Sequence, residues 1–150
     1  MVNEFSKNNI HNFWSNKNVL ITGHNGFKGS WLTLWLLSMG ANVWGYSLSH
    51  IKSRSLYQDL FSTIDYKKYI SGNLNNFIGD INEIDTLNKY VKKSNPDIVF
   101  HFAAQSLVIK SYEDPKDTIY SNVIGTYNVL EAVNNNDSIK SLIIATTDKV

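Results

Sequence analysis

Three glycines recur at three-residue spacing in the stretch GHNGFKG: Gly23, Gly26 and Gly29. Glycine lets a backbone turn tightly and approach a ligand closely, which suits the cradling of a phosphate by main-chain N–H groups. A second set lies near the other end, where Thr147-Asp148-Lys149 brings a hydroxyl, a carboxylate and an ammonium to consecutive positions. Groups of these types can pass protons to and from a substrate, although a solvated strand end has the same composition. Between the two sets stand Asp80, after a candidate strand, and the small residues Ala103 and Ala104 with Gln105 and Ser106. The four histidines, His11, His24, His50 and His101, show no ligand spacing, and the chain has no cysteine. Disulfides and thiolate metal sites are thereby excluded, a metal site is not expected, and a reducing cytoplasm is compatible.

The elements that must position these residues can be read from the apolar pattern. Val19 to Thr22 is a short β-branched and apolar run, and residues 27–39 form an apolar helical run stopped by Gly40. Strand, glycine turn and helix place an anion on a helix N-terminus, where free N–H groups and the helix dipole favour it. The spacing is G-x-x-G-x-x-G rather than G-x-G-x-x-G, and glycines also punctuate ordinary turns. The strand before, the helix after and a second strand over residues 42–48 favour a dinucleotide pyrophosphate over a purely structural turn. A carboxylate at the end of that second strand would bind the adenine ribose; here there is none, and Ser47 sits near the place. Lys52 and Arg54 follow and suit either a 2′-phosphate or solvent, so the residues leave NAD and NADP both open.

The rest of the chain continues the alternation. Residues 1–17 read as a polar leader in which Ile10, Phe13 and Trp14 mark one side of a short helix. A short helix is expected around residues 56–61. Residues 76–81 (NFIGDI) hold the expected third strand. Asp80 at its end can accept a hydrogen bond from an adenine amino group or cap the next helix, two uses that position alone leaves even. Ile84, Leu87 and Val91 mark a helix, and residues 98–102 (IVFHF) a buried strand in which His101 reads as a core residue. Small residues after it, from Ala103, would let a flat cofactor lie near the backbone, or simply allow tight packing. Asp114-Pro115 starts a long helix with Ile119, Val123, Thr126, Leu130 and Val133 on one face; Asn122 and Gly125 interrupt it. Residues 142–145 give a fifth strand. The order βαβαβαβαβ predicts an α/β, Rossmann-type doubly wound parallel sheet over residues 18–150, with its ligand crevice beyond the strands' carboxyl ends. The glycine turn, Asp80, residues 103–106 and residues 147–149 all fall on that edge.

Composition limits the partners. At 150 residues, with 43% hydrophobic and 18% charged, the chain can build one cored domain. Fourteen basic against 13 acidic residues leave a formal charge of +1, giving no electrostatic case for nucleic acid or an anionic membrane. No apolar run approaches the roughly 18–20 residues that span a bilayer, and no signal peptide is apparent.

The stretches GHNGFKGSWL, GDI, HFAAQSLV, SYEDP, NVIGTYNVLEA and TTDKV, in this order, resemble the extended short-chain dehydrogenase/reductases. Within them they are most similar to the CDP-glucose 4,6-dehydratases. Dehydratases of dTDP-glucose carry Asp-Glu where this chain has Asp148-Lys149, so Lys149 is the sharpest discriminator. The resemblance implies NAD as cofactor, with NADP not excluded, and CDP-glucose as the favoured nucleotide-sugar substrate. It implies conversion to CDP-4-keto-6-deoxyglucose, a precursor of bacterial surface (O-antigen) polysaccharide. It assigns Gly23, Asn25, Gly26, Phe27, Lys28 and Gly29 to the pyrophosphate, Asp80 and Ile81 to the adenine, and Ala103, Ala104 and Asn122 to the ribose and nicotinamide side. Gln105 and Ser106 fall to the substrate. Thr147 would bind the 4-hydroxyl, Asp148 protonate the leaving 6-hydroxyl and Lys149 assist proton removal at carbon 5. It also implies a cytoplasmic homo-oligomer, joined through helices that include the one from Pro115. The family's Tyr-x-x-x-Lys base and sugar-nucleotide half lie beyond the fifth strand, and YKKY at residues 66–69 comes too early to replace them. The sheet is thus expected to be incomplete at its C-terminus, and these residues alone to show no dehydratase turnover. Alternatives are another nucleotide-sugar dehydratase, epimerase or reductase, or a dinucleotide-binding remnant without chemistry.

Overall fold

Among the described residues, five strands hydrogen-bond into one parallel sheet in the order β3-β2-β1-β4-β5. They are β1 (Asn18–Thr22), β2 (Asn42–Ser47), β3 (Asn73–Ile78), β4 (Ile98–His101) and β5 (Ser141–Ile144). The computed structural model describes residues 4–49, 55–63 and 65–146. The chain winds outward from β1 to β3, crosses back to β4 and winds outward again, so the direction reverses between β1 and β4. That reversal opens a crevice at the carboxyl edge.

The central strand explains itself. Val19, Leu20, Ile21 and Thr22 are all at most 1% exposed, because both faces of a parallel sheet are covered. Period-2 alternation sends Leu20 to one face, with Tyr46, Leu87, Tyr90, Val91, Val99, Val129 and Ala132. Helices α4 (Ile84–Ser94) and α7 (Gly125–Asn134) cover that face. Val19 and Ile21 face the other way, with Val43, Leu36 and Leu37 under helix α2 (Phe27–Ser38). Full burial of a leucine stabilises by about 1.5–3 kcal/mol, so Leu36 and Leu37 anchor the helix that carries the glycine turn. Helix α1 (Glu4–Trp14) lays Trp14 near Phe100, with ring centroids 6.4 Å apart, while Phe13 stays half exposed.

The third strand begins three residues before the expected start and ends at Ile78, leaving Gly79-Asp80-Ile81 in the loop beyond it. Asn73, Asn75 and Asn76 hid it, since asparagine is a poor strand former, yet they suit an edge where only Leu74 and Phe77 are half-buried. A three-residue helix α3 (Leu56–Gln58) is opened by a capping box between Ser55 and Gln58 and runs into a wide π turn, Asp59–Thr63. Helix α5 (Val108–Glu113) was not foreseen. The start at Pro115 was: Asp114 accepts from the Asp117 N–H at 3.0 Å and opens α6 (Pro115–Ile119). From there the helix runs on into α7 through a π turn at Tyr120–Ile124.

Candidate functional site

The carboxyl ends of the strands are locked level by four main-chain bonds. The Gly23 N–H donates to Tyr46, Gly79 to Ser47, Phe102 to Thr22 and Ala145 to His101, at 2.8 to 3.1 Å. The loops carrying the candidate residues therefore leave the sheet side by side. Residues 147–149 lie outside the described residues, as do Lys52 and Arg54.

The glycine turn has the conformation its sequence requires. Gly23 has φ +72°, and a Cβ there would stand 2.7 Å from the Ala103 nitrogen. No other residue type fits both the left-handed backbone and the contact. A side chain on Gly29 would drive into the Gly23 carbonyl and the His24 backbone, so this residue sets how closely α2 approaches the turn. The first helical bond of α2 runs from the Ser30 N–H to the Gly26 carbonyl at 2.8 Å. The N–H groups of Phe27, Lys28 and Gly29 precede it and have no intrahelical acceptor. Together with the helix dipole they form an anion-binding end. The turn is tied to the end of β2 by two side chains. Asn25 donates to the Leu48 carbonyl at 2.8 Å, and the fully buried His24 pairs its Nδ1 with the Ser47 hydroxyl at 2.8 Å. Ser47 thus faces His24 rather than solvent.

The loop after β3 is held from several sides. Asp80 Oδ1 accepts from the N–H and the amide of Asn82, at 2.9 and 3.0 Å, forming an Asx turn. The cap of α4 is Glu83 instead. The Asp80 carbonyl accepts from the Tyr46 hydroxyl at 2.9 Å. Burial first, then the neighbouring Glu83 and Asp80, push that hydroxyl up to about 12. Ile81 is buried, and its side chain occupies the space that a side chain at Gly125 would fill. The helix glycine therefore has a packing reason. The Ile81 carbonyl accepts from the buried Asn128 at 2.9 Å.

After β4, Ala103 lies against the glycine turn and its N–H donates to Thr22 Oγ1 at 3.3 Å. Asn122, in the π turn, grips Gln105 by the backbone: Oδ1 accepts from its N–H at 2.7 Å and Nδ2 donates to its carbonyl at 2.9 Å. The Gln105 amide bonds locally to Leu107 and to Thr118 Oγ1. Ala104 and Ser106 are exposed on the same edge. His101 is 2% exposed, and burial pushes its imidazole down to about 4. It joins Thr22 Oγ1 at 2.7 Å and Thr126 Oγ1 at 3.0 Å. Sequence reasoning missed Thr22, His24, Thr118 and Thr126; the one available signal was a polar residue, Thr126, within an otherwise apolar helix face. Among the described residues no group of three or more His, Asp or Glu side chains could hold a metal, and no helix is long and apolar enough to cross a membrane.

Sheet order, glycine turn and crevice define a Rossmann-type α/β protein. The sequence model of the family described as GDP-mannose 4,6 dehydratase matches residues 20–150, and the chain belongs to that family. It is 43% identical to CDP-glucose 4,6-dehydratase of Salmonella typhimurium, over 92% of this chain and 36% of that protein. It is 32% identical to GDP-mannose 4,6-dehydratase of Vibrio cholerae, over 78% and 31%. The UDP-glucose 4-epimerase of Brucella ovis, solved in complex with NAD, superposes with TM-score 0.65 at 27% identity, over 87% of this chain and 35% of that one. The chain spans about a third of the length of the curated relatives it matches.

Proposed function

We propose that this chain is the NAD-binding portion of a nucleotide-sugar 4,6-dehydratase acting on CDP-glucose. The observation that carries the cofactor reading is the glycine turn. Gly23, Gly26 and Gly29 leave a side-chain-free cradle before three open N–H groups, with Ala103 pressed against its side. A pyrophosphate fits such a cradle. The Brucella ovis epimerase, solved in complex with NAD, has the same fold at 27% identity and supports the choice of cofactor. The 43% identity to a CDP-glucose 4,6-dehydratase supports the choice of substrate, above the 32% and 37% to two GDP-mannose enzymes.

When bound, NAD would supply reversible hydride transfer between carbons 4 and 6 of the sugar. The chain's own part is to bind, orient and move protons. The N–H groups of residues 27–29 would hold the pyrophosphate, with Asn25 bracing the turn, and Asp80 would receive the adenine amino group on its remaining carboxylate oxygen. Ala103 and Ala104 would let the nicotinamide side approach the backbone, and Ser106 would face the sugar. Thr147 would bind the 4-hydroxyl, Asp148 protonate the leaving 6-hydroxyl and Lys149 assist proton removal at carbon 5. An acid and a base at adjacent positions can serve both ends of one elimination. Self-association through the helix from Pro115 belongs to the same reading.

The test has two parts. Calorimetric titration of the chain with NAD and NADP should give saturable binding of NAD, and no binding of either would overturn the cofactor reading. The native protein from its source cell, given CDP-glucose and NAD, should yield a product lighter by one water without net consumption of NAD. Conversion of GDP-mannose in preference to CDP-glucose would overturn the substrate.

A further inference from the structure

The buried His101 belongs to a continuous run of hydrogen bonds whose direction can be worked out from the donors available. Thr126 Oγ1 donates to the Asn122 carbonyl at 2.8 Å, and a carbonyl can only accept. The single hydroxyl proton of Thr126 is thereby used, so His101 Nε2, 3.0 Å away, must be the donor between them. A neutral ring with its proton on Nε2 has an accepting Nδ1, and Thr22 Oγ1 donates to it at 2.7 Å. The Thr22 oxygen in turn accepts the Ala103 N–H at 3.3 Å. At the other end, Asn122 uses both amide atoms on the Gln105 backbone, and Gln105 continues to Thr118 at 2.9 Å. From Ala103 through Thr22, His101 and Thr126 to the Asn122 carbonyl every donor has one acceptor, and no second arrangement of protons satisfies them all.

The geometry has a consequence for the site. Ala103 is held from the β1 side by Thr22, and Gln105 from the helix side by Asn122. His101 is the only described side chain that bonds to both Thr22 and Thr126, and so ties the two anchors together. The segment between the anchors is the one that the proposed function sets against the nicotinamide half of the cofactor. We infer that His101 is a positioning residue: through Thr22 and Thr126 it fixes the spacing of Ala103 and Gln105, and with it the seat of the nicotinamide half, while the pyrophosphate turn has braces of its own in Asn25 and His24. Asn122 accordingly acts through Gln105. The inference rests on the dinucleotide reading.

Two ligands separate the halves, because ADP-ribose carries the adenine and pyrophosphate but no nicotinamide. The full chain and its Thr126→Val and Thr126→Ser variants would be titrated with NAD and with ADP-ribose by calorimetry. Valine keeps the shape of threonine and removes the hydroxyl. Thr126→Val should weaken NAD about tenfold while ADP-ribose stays within about twofold, and Thr126→Ser should restore NAD binding. An unchanged NAD affinity, or an equal loss of both ligands that serine does not rescue, would overturn the inference alone. Failure of the unaltered chain to bind either ligand would overturn the dinucleotide reading and the inference with it. A measurement on the unaltered chain covers the event that Thr126→Val does not fold. Nitrogen-15 NMR of the His101 ring should show Nε2 protonated and Nδ1 bare at neutral pH; the opposite tautomer, or a doubly protonated ring, would break the run and sink the proposal.

Discussion

His101 makes the clearest statement at the scale of one residue. Burial lowers its pKa from 6.5 to about 4, so the folded chain holds the ring neutral where the unfolded chain would protonate it. The sign follows from linkage: the unfolded state binds more protons between these values, and the group's contribution is complete above about pH 6.5 and falls away towards about pH 4. A shift of this size corresponds to roughly 3 kcal/mol. Urea unfolding at neutral pH and at about pH 4 should therefore show a loss in the unaltered chain that exceeds the loss in His101→Gln by about that amount. Other titrating groups cancel in the difference, and equal losses would refute the assignment. Gly23 gives a second test. Alanine there must adopt φ +72° and place its Cβ 2.7 Å from the Ala103 nitrogen. Strain of this kind costs on the order of 1–3 kcal/mol, so Gly23→Ala should lower the unfolding free energy by about that much and abolish NAD binding. Retained affinity with unchanged stability would show that the turn does not have this geometry.

At the scale of the element, the helix from Pro115 to Asn134 carries two departures from regularity that serve the carboxyl edge. The π turn at Tyr120–Ile124 holds Asn122, which grips Gln105, and Gly125 just after it receives Ile81 from the loop beyond β3. Two effects oppose each other in Gly125→Ala. Alanine gains about 1 kcal/mol of helix propensity, whereas overpacking a tight contact costs about 1–3. The clash should win, because Ile81 is 6% exposed and β-branched, with little freedom to turn aside. Gly125→Ala is thus expected to be net destabilising by about 1 kcal/mol in urea unfolding, and a gain in stability would show the Ile81 contact to be loose. The glycine at this position and the Asp114-Pro115 start were legible in the sequence because each has a local physical cause. So were the four strands whose cores are β-branched or apolar. What was not legible depends on partners distant in sequence. The π turn leaves no mark on the apolar periodicity, the asparagine-rich β3 is a strand only because β2 offers it an edge, and the pairing of His24 with Ser47 exists only once the turn and β2 meet. The glycine turn itself was fully readable, whereas the side chains that brace it were not.

At the scale of the whole molecule, two of the apolar surfaces among the described residues differ in shape. On one face of the sheet a groove of about 550 Å³ is lined by Phe27, Lys28, Trp31, Leu32, Trp35, Phe100 and Phe102. On the opposite side, Ile119, Val123, Tyr127 and Leu130 form an exposed stripe along the helix from Pro115. A stripe on a helix can pack against its own copy across a two-fold axis, ridge into groove. A concavity cannot fill its own copy and needs a convex partner. The net charge of +1 offers little repulsion between copies. Self-association is therefore expected through the helix and not through the groove, and paired variants separate the two. Light scattering on a sizing column should find the unaltered chain larger than its 17.1 kDa monomer and a Val123→Glu/Tyr127→Glu variant reduced to it. Trp35→Glu should leave the size unchanged while lowering the binding of an apolar dye, because Trp35 is 54% exposed on the groove wall. A monomer in the unaltered chain, or a Trp35→Glu variant that alone dissociates, would assign the interface to neither surface or to the groove.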